Sequence, residues 1–355
     1  MKSTINNLTI LAIALITGLM SCKDDPDIPE PTGTDYTDGV FVINEGSYGA
    51  GSGTLTFIKR DGTGLQQKVF QIANNLLTLG NVAQSMNVIG DSAFIVVNNA
   101  NRIVVASKYS MIEITTIEDI YQPRYMVNLN DGRFAVSCWD NTAKIFDLAS
   151  LMELDEIETG AGPEKMMLIS DKLWILNQGG LSVDSTLTIY DLITGNKQTL
   201  QVHPRPTGIQ MDNDGSLWVM CSGRKPYHPG GFSPSHLLRI DPESHDITGD
   251  FLIQQGEHDA ISLEINKSGN TLFYLFKGDI YSFATNATQP ADLPLVDYEG
   301  ALYSVGYDPV ENSLYCADAL DYTQHGEVYK YNASSGIFIS DFKAGIIPSG
   351  FYFTQ

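Results

Sequence analysis

The chain of 355 residues is 43% hydrophobic, 10% aromatic and 18% charged, with 32 Gly and 15 Pro, and this composition excludes a disordered or collagen-like chain. Forty-two acids oppose 21 bases, and a net charge of −21 repels phosphate backbones, so nucleic acid is the least favoured partner. The first 21 residues carry one base, Lys2, then an apolar stretch from Leu8 to Met20 that is shorter than the roughly 20 residues of a spanning helix. Residues 1–21 therefore read as a cleaved signal peptide.

The leader ends in Leu19-Met20-Ser21-Cys22, which resembles the bacterial lipobox; the resemblance implies that Cys22 is lipidated and becomes the mature N-terminus. Loss of Lys2 leaves 20 bases against 42 acids, a net of −22. From Lys23 to Asp38 the chain has three prolines, six acids and Ile28 as its one aliphatic residue, too little apolar surface to offset the entropy of ordering. Residues 22–38 are expected to form the lipidated Cys and a disordered tether with a reach of at most about 55 Å. The run Lys23-Asp24-Asp25 resembles the export signal of Bacteroidetes surface lipoproteins, which implies an outer-membrane protein facing the exterior and touching the membrane only through its anchor.

Beyond Asp38 the apolar residues come in runs of 4 to 8 separated by Gly, Asn and Asp turns, the punctuation of strands. Seven runs, VFVINEG, AFIVVNN, RFAVSCW, KLWILNQ, SLWVMCS, TLFYLFK and SLYCADA, each read as the second strand of a hairpin. Landmarks in the preceding strands at Gln84, Pro123, Pro163 and Pro206 lie 39, 40 and 43 residues apart. A repeat of 40 to 45 residues with four strands is the signature of a propeller blade, and residues 39–355 divide into seven such repeats. The fold class predicted is all-β, a seven-bladed β-propeller of four-stranded antiparallel blades. Its C-terminal PSGFYF, Pro348 to Phe353, is expected to supply the strand that the first repeat lacks, so that VFVINEG, TLTFIKR and LQQKVFQ complete one blade with it. A turn of helix is expected at Ile72 to Leu79. Trp174 and Trp218 are expected between blades, and Cys138, Cys221 and Cys316 as buried small hydrophobes.

The loops that leave the second strands collect on one face of a propeller. Here they are long in blade one (NEGSYGAGSG), five (SGRKPYHPGGFSPS) and seven (DALDYTQHG), intermediate in four (NQGGLSVDS) and short elsewhere. Unequal loops around one mouth predict an asymmetric basin. Tyr48, Trp139, Tyr227, Phe232 and Tyr322 offer faces for stacking, and Asn44, Glu45, Asn98, Asp140, Asn177, Arg224 and His325 offer polar contacts. No Gly-x-Ser-x-Gly, P-loop or zincin motif occurs, and the six histidines at 203, 228, 236, 245, 258 and 325 are scattered singly, so no catalytic residue is assigned. No CxxC or HxH spacing points to a metal centre, and Asp212-Asn213-Asp214-Gly215 reads as a hairpin turn instead of a calcium loop.

The lipobox cysteine together with INEGSYG (43–49), LGNVAQSM (79–86), VVNNANRI (96–103), QPRYM (122–126), GPEKM (162–166) and LWVMCSG (217–223) resembles the YncE-like, DUF5074-type seven-bladed surface propellers of Bacteroidetes. That group includes the BtuG-type cobalamin-binding lipoproteins. The resemblance implies capture of cobalamin or other corrinoids as ligand, with no cofactor, and their delivery to a TonB-dependent outer-membrane transporter. On that reading Tyr48, Trp139 and Tyr227 stack on the corrin, while Asn44, Glu45, Asn98, Asp140 and Asn177 bond its amides. A propeller enzyme of the lactonase or lyase type and a glycan-binding or adhesion module remain alternatives that use the same loop face.

Overall fold

The computed structural model describes residues 36–49, 52–253 and 259–354. The leader, Cys22 and the tether up to Asp35 lie outside the described residues. The one described helix is the five-residue Val69–Ala73, and no described helix is long and apolar enough to cross a membrane.

Seven antiparallel sheets follow one another along the chain, each from one sequence repeat. Five have four strands. The first and sixth have three, and each carries an isolated bridge where the outer strand begins in the others, Phe57 with Gln66 and Ile280 with Val296. Each innermost strand packs beside the innermost strand of the next blade, and the strand of blade seven (Leu302–Asp308) packs beside Pro348–Phe353, which in turn meets Ala83–Ile89 of blade two. The ring is therefore closed by the C-terminal strand, which pairs antiparallel with Gly39–Asn44, as its sequence predicts. Closure gives the first blade its innermost strand, so that Gly39–Asn44 is paired on both sides.

Strand alternation sends side chains to both faces of every blade, and both faces are apolar, so the core is not one cluster. Seven hydrophobic clusters each fill the space between two neighbouring blades. In blade four, Trp174 and Leu176 face blade five, whereas Leu173 and Ile175 face blade three. Trp174 and Trp218 are fully buried between blades, and the Trp218 indole N–H donates to Asp212 at 2.8 Å. Asp212 also accepts from the backbone N–H of Asp214 and Ser216, which spends its carboxylate on the hairpin turn. Cys138, Cys221 and Cys316 are free and buried, and burial pushes all three thiols up.

Three boundaries differ from the sequence expectations. The helix lies at Val69–Ala73, upstream of Ile72–Leu79, because Val69 and Phe70 are pulled into the space between blades one and two. For the same reason LQQKVFQ forms no strand beyond the bridge at Gln66. Tyr36 to Asp38, assigned by composition to the tether, pack on blade one: Tyr36 is buried against Phe41 and Phe57 and donates to Gln66 at 2.9 Å.

A polar latch joins the chain ends. The Thr354 N–H donates to the Gly39 carbonyl and the Gly39 N–H to the Thr354 hydroxyl, and the Arg60 guanidinium bonds Asp308 at 2.8 Å, Asp38 at 2.6 Å and the Thr354 carbonyl at 2.5 Å. Asp308 is fully buried and Arg60 nearly so. Removing the cation strands a buried carboxylate, so Arg60→Met is expected to lower the stability of the domain by about 3 kcal/mol in urea unfolding, against less than about 1 kcal/mol for the exposed ion pair partner in Lys197→Met.

Candidate functional site

The innermost strands carry a feature that repeats in all seven blades. Each has one more residue than its partner strand near its start, so the register slips there: across Gln84 in blade two, Arg124-Tyr125 in three, Glu164-Lys165 in four, Thr207 in five, Ser262 in six, Tyr303 in seven and Ser349 in one. A bulge breaks the alternation of a strand and re-aims its side chains. Here the bulged residues from all seven blades turn toward the axis and line one cavity of about 460 Å³. Glu45 and Gln178, the first residues beyond the second strands of blades one and four, line it as well, so it lies at the end of the axis where the long loops stand. Blade five adds no side chain beyond Thr207, since Gly208 meets blade six so closely that a Cβ there would stand 2.5 Å from that of Leu263.

The cavity is polar and its charges are interlocked. Glu164 accepts from the Arg124 guanidinium at 3.0 Å and from the Trp139 indole at 2.9 Å, and Arg124 lies 4.2 Å over the Trp139 ring. Arg124 also donates to Gln84, whose amide N–H donates to the Tyr125 hydroxyl at 3.3 Å. Burial works against the charge of Arg124, but Glu164, Tyr125 and Glu45 together outweigh it and hold the guanidinium's pKa above its ordinary value. Across the mouth Tyr303 donates to Glu45 at 3.3 Å, and burial raises the pKa of both groups. Deeper, burial raises Glu264 against the pull of Lys165, 3.9 Å away. Three acids face two bases, and two of those acids are biased toward the neutral form, so this channel offers hydrogen bonds more than net charge.

The predicted site residues divide into five groups. Glu45 lines the cavity, and Trp139 forms its wall through Glu164 and Arg124. Tyr48, Tyr227, Tyr322 and Phe232 stand on the loops above, with 81%, 84%, 52% and 38% of their surface exposed; the ring of Tyr322 meets that of Tyr303 edge-on at 5.7 Å. Asp140 and Arg224 serve their own loops, Asp140 accepting from Thr142 and Arg224 donating to the Gly231 carbonyl. Asn44, Asn98 and Asn177 are buried. Asn44 donates to Thr54 and Thr56 and accepts from Gly345, Asn98 donates to the Pro123 carbonyl, and Asn177 donates to Thr186 and Thr188, so these amides clamp strand ends instead of facing a ligand. His325 borders a separate cavity of about 480 Å³ beside blade one, where its ring bonds the Ala344 carbonyl.

Sequence reading missed Gln84, Arg124, Tyr125, Glu164, Lys165, Glu264 and Tyr303. A signal for most of them was present: the residues directly after the small or proline landmark of each repeat are the ones the bulge exposes. It also missed Leu181, 99% exposed on the blade-four loop. Two histidines that stand 33 residues apart in the chain, His203 and His236, meet with ring centres 3.7 Å apart.

With this geometry established, the chain can be placed among known proteins. The family of the domain of unknown function DUF5074 matches residues 38–354. This chain belongs to the DUF5074 family. No curated protein sequence matches it. Its fold is similar to the crystal structure of a quinonprotein alcohol dehydrogenase-like protein from Bacteroides thetaiotaomicron, at 14% identity and a TM-score of 0.70 over 91% of this chain and 80% of that one. Hydrazine synthase of Kuenenia stuttgartiensis gives 14% identity and a TM-score of 0.60 over 73% and 85%. The dihydro-heme d1 dehydrogenase NirN in complex with DHE gives 10% and 0.60 over 92% and 77%. At these identities the likeness is one of fold.

The raised carboxyls carry a pH signature. A carboxyl whose pKa is higher folded than unfolded binds more protons in the native state, so stability falls as pH rises from the ordinary value of 4.5 through the raised one. Glu264→Gln is expected to raise the melting temperature at pH 7 and to have no such effect at pH 4, as read by thermal unfolding at the two values.

Proposed function

We propose that this DUF5074 propeller is a ligand-binding protein of the cell surface that captures cobalamin or a related corrinoid and passes it to a TonB-dependent transporter, held at the outer membrane by a lipid on Cys22. The observation that carries the reading is the pairing of an aromatic rim with a charge-balanced polar channel. Tyr48, Leu181, Tyr227, Phe232 and Tyr322 are exposed on loops that leave the second strands of blades one, four, five and seven, all of which open on one face. Exposed apolar side chains grouped on one face mark a binding surface more often than a solvated one.

A corrin is a broad disc with methyl-rich faces and an edge of amides. On this reading the disc rests across the mouth with one face on Tyr48, Tyr227 and Tyr322. Its amides then reach the groups at the neck: Glu45 and Tyr303, the Gln178 amide, and the Arg124–Glu164 pair. Near-balanced charge in the neck suits an uncharged amide edge better than a polyanion. The likeness to BtuG-type sequences supports the same ligand.

Cyanocobalamin titrated into the soluble domain is expected to bind saturably with a stoichiometry of one, read by calorimetry. Tyr48→Ala and Tyr227→Ala are each expected to weaken binding about tenfold, the loss of one stacking contact worth about 1.4 kcal/mol. Saturable binding of a glycan with silence toward cobalamin would transfer the rim to the adhesion reading.

A further inference from the structure

The blade-five flank carries a constellation that the channel and rim do not use. His203 sits in the link between the outer strand of blade four (Lys197–Gln201) and the inner strand of blade five (Pro206–Met211). His236 opens the third strand of blade five (Ser235–Ile240), and Asp250 lies on the fourth (Ile247–Ile253), paired with Leu238. Because His236 and Leu238 share a face of the strand, and Leu238 packs toward blade four, both side chains come out on the flank where the link passes. There the Asp250 carboxylate takes His203 Nε2 at 2.9 Å on one oxygen and His236 Nδ1 at 2.6 Å on the other. The ligand atoms of the three residues all lie within 4.8 Å of one another.

We propose that His203, His236 and Asp250 form a binding site for a divalent transition ion of zinc's class. Two imidazoles and one carboxylate are the donor set that such ions prefer, and a tetrahedral centre with bonds of about 2.0–2.2 Å needs its donors about 3.4 Å apart. Small rotations of the three side chains bring them to that spacing. The two imidazole rings stack 3.7 Å apart on one shared carboxylate, which brings the three donor groups to one point. His203 and Asp250 are 36% and 46% exposed at their side chains, so solvent reaches the site and a fourth position stays open to water or a ligand atom. Cys221, cross-strand from His236, is buried with its thiol pushed up, and it supplies no fourth donor. The bound ion would tie the blade-four-to-five link to the outer half of blade five.

The test uses the tagless soluble domain, stripped with chelator and titrated with Zn2+ against a chromophoric competitor, with Co2+ absorption as a second readout. One ion bound per chain, a Co2+ spectrum of a low-coordinate N/O site, a Zn2+-dependent rise in melting temperature, and at least a tenfold loss of affinity in both His236→Ala and Asp250→Asn are expected. Asp250→Asn keeps the side-chain volume, so the comparison survives even if His236→Ala folds poorly. Binding that is unchanged in the folded variants, or wild-type binding no tighter than millimolar, would overturn the assignment, and histidine ring 15N shifts unmoved by one equivalent of Zn2+ would do the same.

Discussion

The axial site depends on one extra residue per inner strand. In a regular strand, side chains alternate between the two faces of a blade, and both faces are already committed to the hydrophobic clusters that hold the ring together. Nothing would then be left to point at the axis. The bulge near the start of each inner strand frees one or two residues from that alternation, and seven bulges in the same place turn a packed ring into a ring with a lined cavity. Because the bulged residues belong to strands of the blades, the groups they carry are held by the sheet scaffold, whereas the rim aromatics ride on loops. Position and chemistry are divided between the two: the neck is fixed, the wall adaptable.

That division also explains how the charges in the neck persist. Arg124 could not stay buried alone. It is accompanied by a carboxylate from the next blade, an amide from the previous one and an indole face from its own, so four side chains from three blades form one unit. Each is fixed by the others; Gln84, Arg124 and Glu164 sit in bulges, and Trp139 directly follows a second strand. Ring closure is a precondition, since Tyr303 of blade seven reaches Glu45 of blade one only because the last strand of the chain completes the first blade.

Much of the fold was legible because its signals are local and repeated. The spacing of Gln84, Pro123, Pro163 and Pro206 announced the blade, and PSGFYF announced the closure. What alternation could not announce was its own interruption. Asn44 and Asn177, ending their strands, looked like residues offered to a mouth; in the structure each opposes the first residue of a bulged strand and turns inward, while the next residue, Glu45 or Gln178, emerges into the cavity. The error is one residue of register, which moves every side chain to the other face. Val69 and Phe70 show the complementary failure. Their apolar pattern is compatible with a strand, and only the gap between blades one and two decides that they plug it as a turn of helix.

The histidine pair marks the limit of such reading. His203 and His236 lie 33 residues apart, with the longest of the loops that leave a second strand between them, and no spacing rule joins them to Asp250. They meet because a propeller places the end of one blade's outer strand against the flank of the next, and because the third and fourth strands of blade five are paired in a register that sets Asp250 opposite Leu238, diagonal to His236 on the same face. The same geometry recurs at every blade boundary, yet the other links carry no such donors among the described residues. A repeated architecture thus supplies seven equivalent positions at the axis and seven at the flank, and a few side chains break the equivalence: Arg124 and Glu164 at the first, His203, His236 and Asp250 at the second.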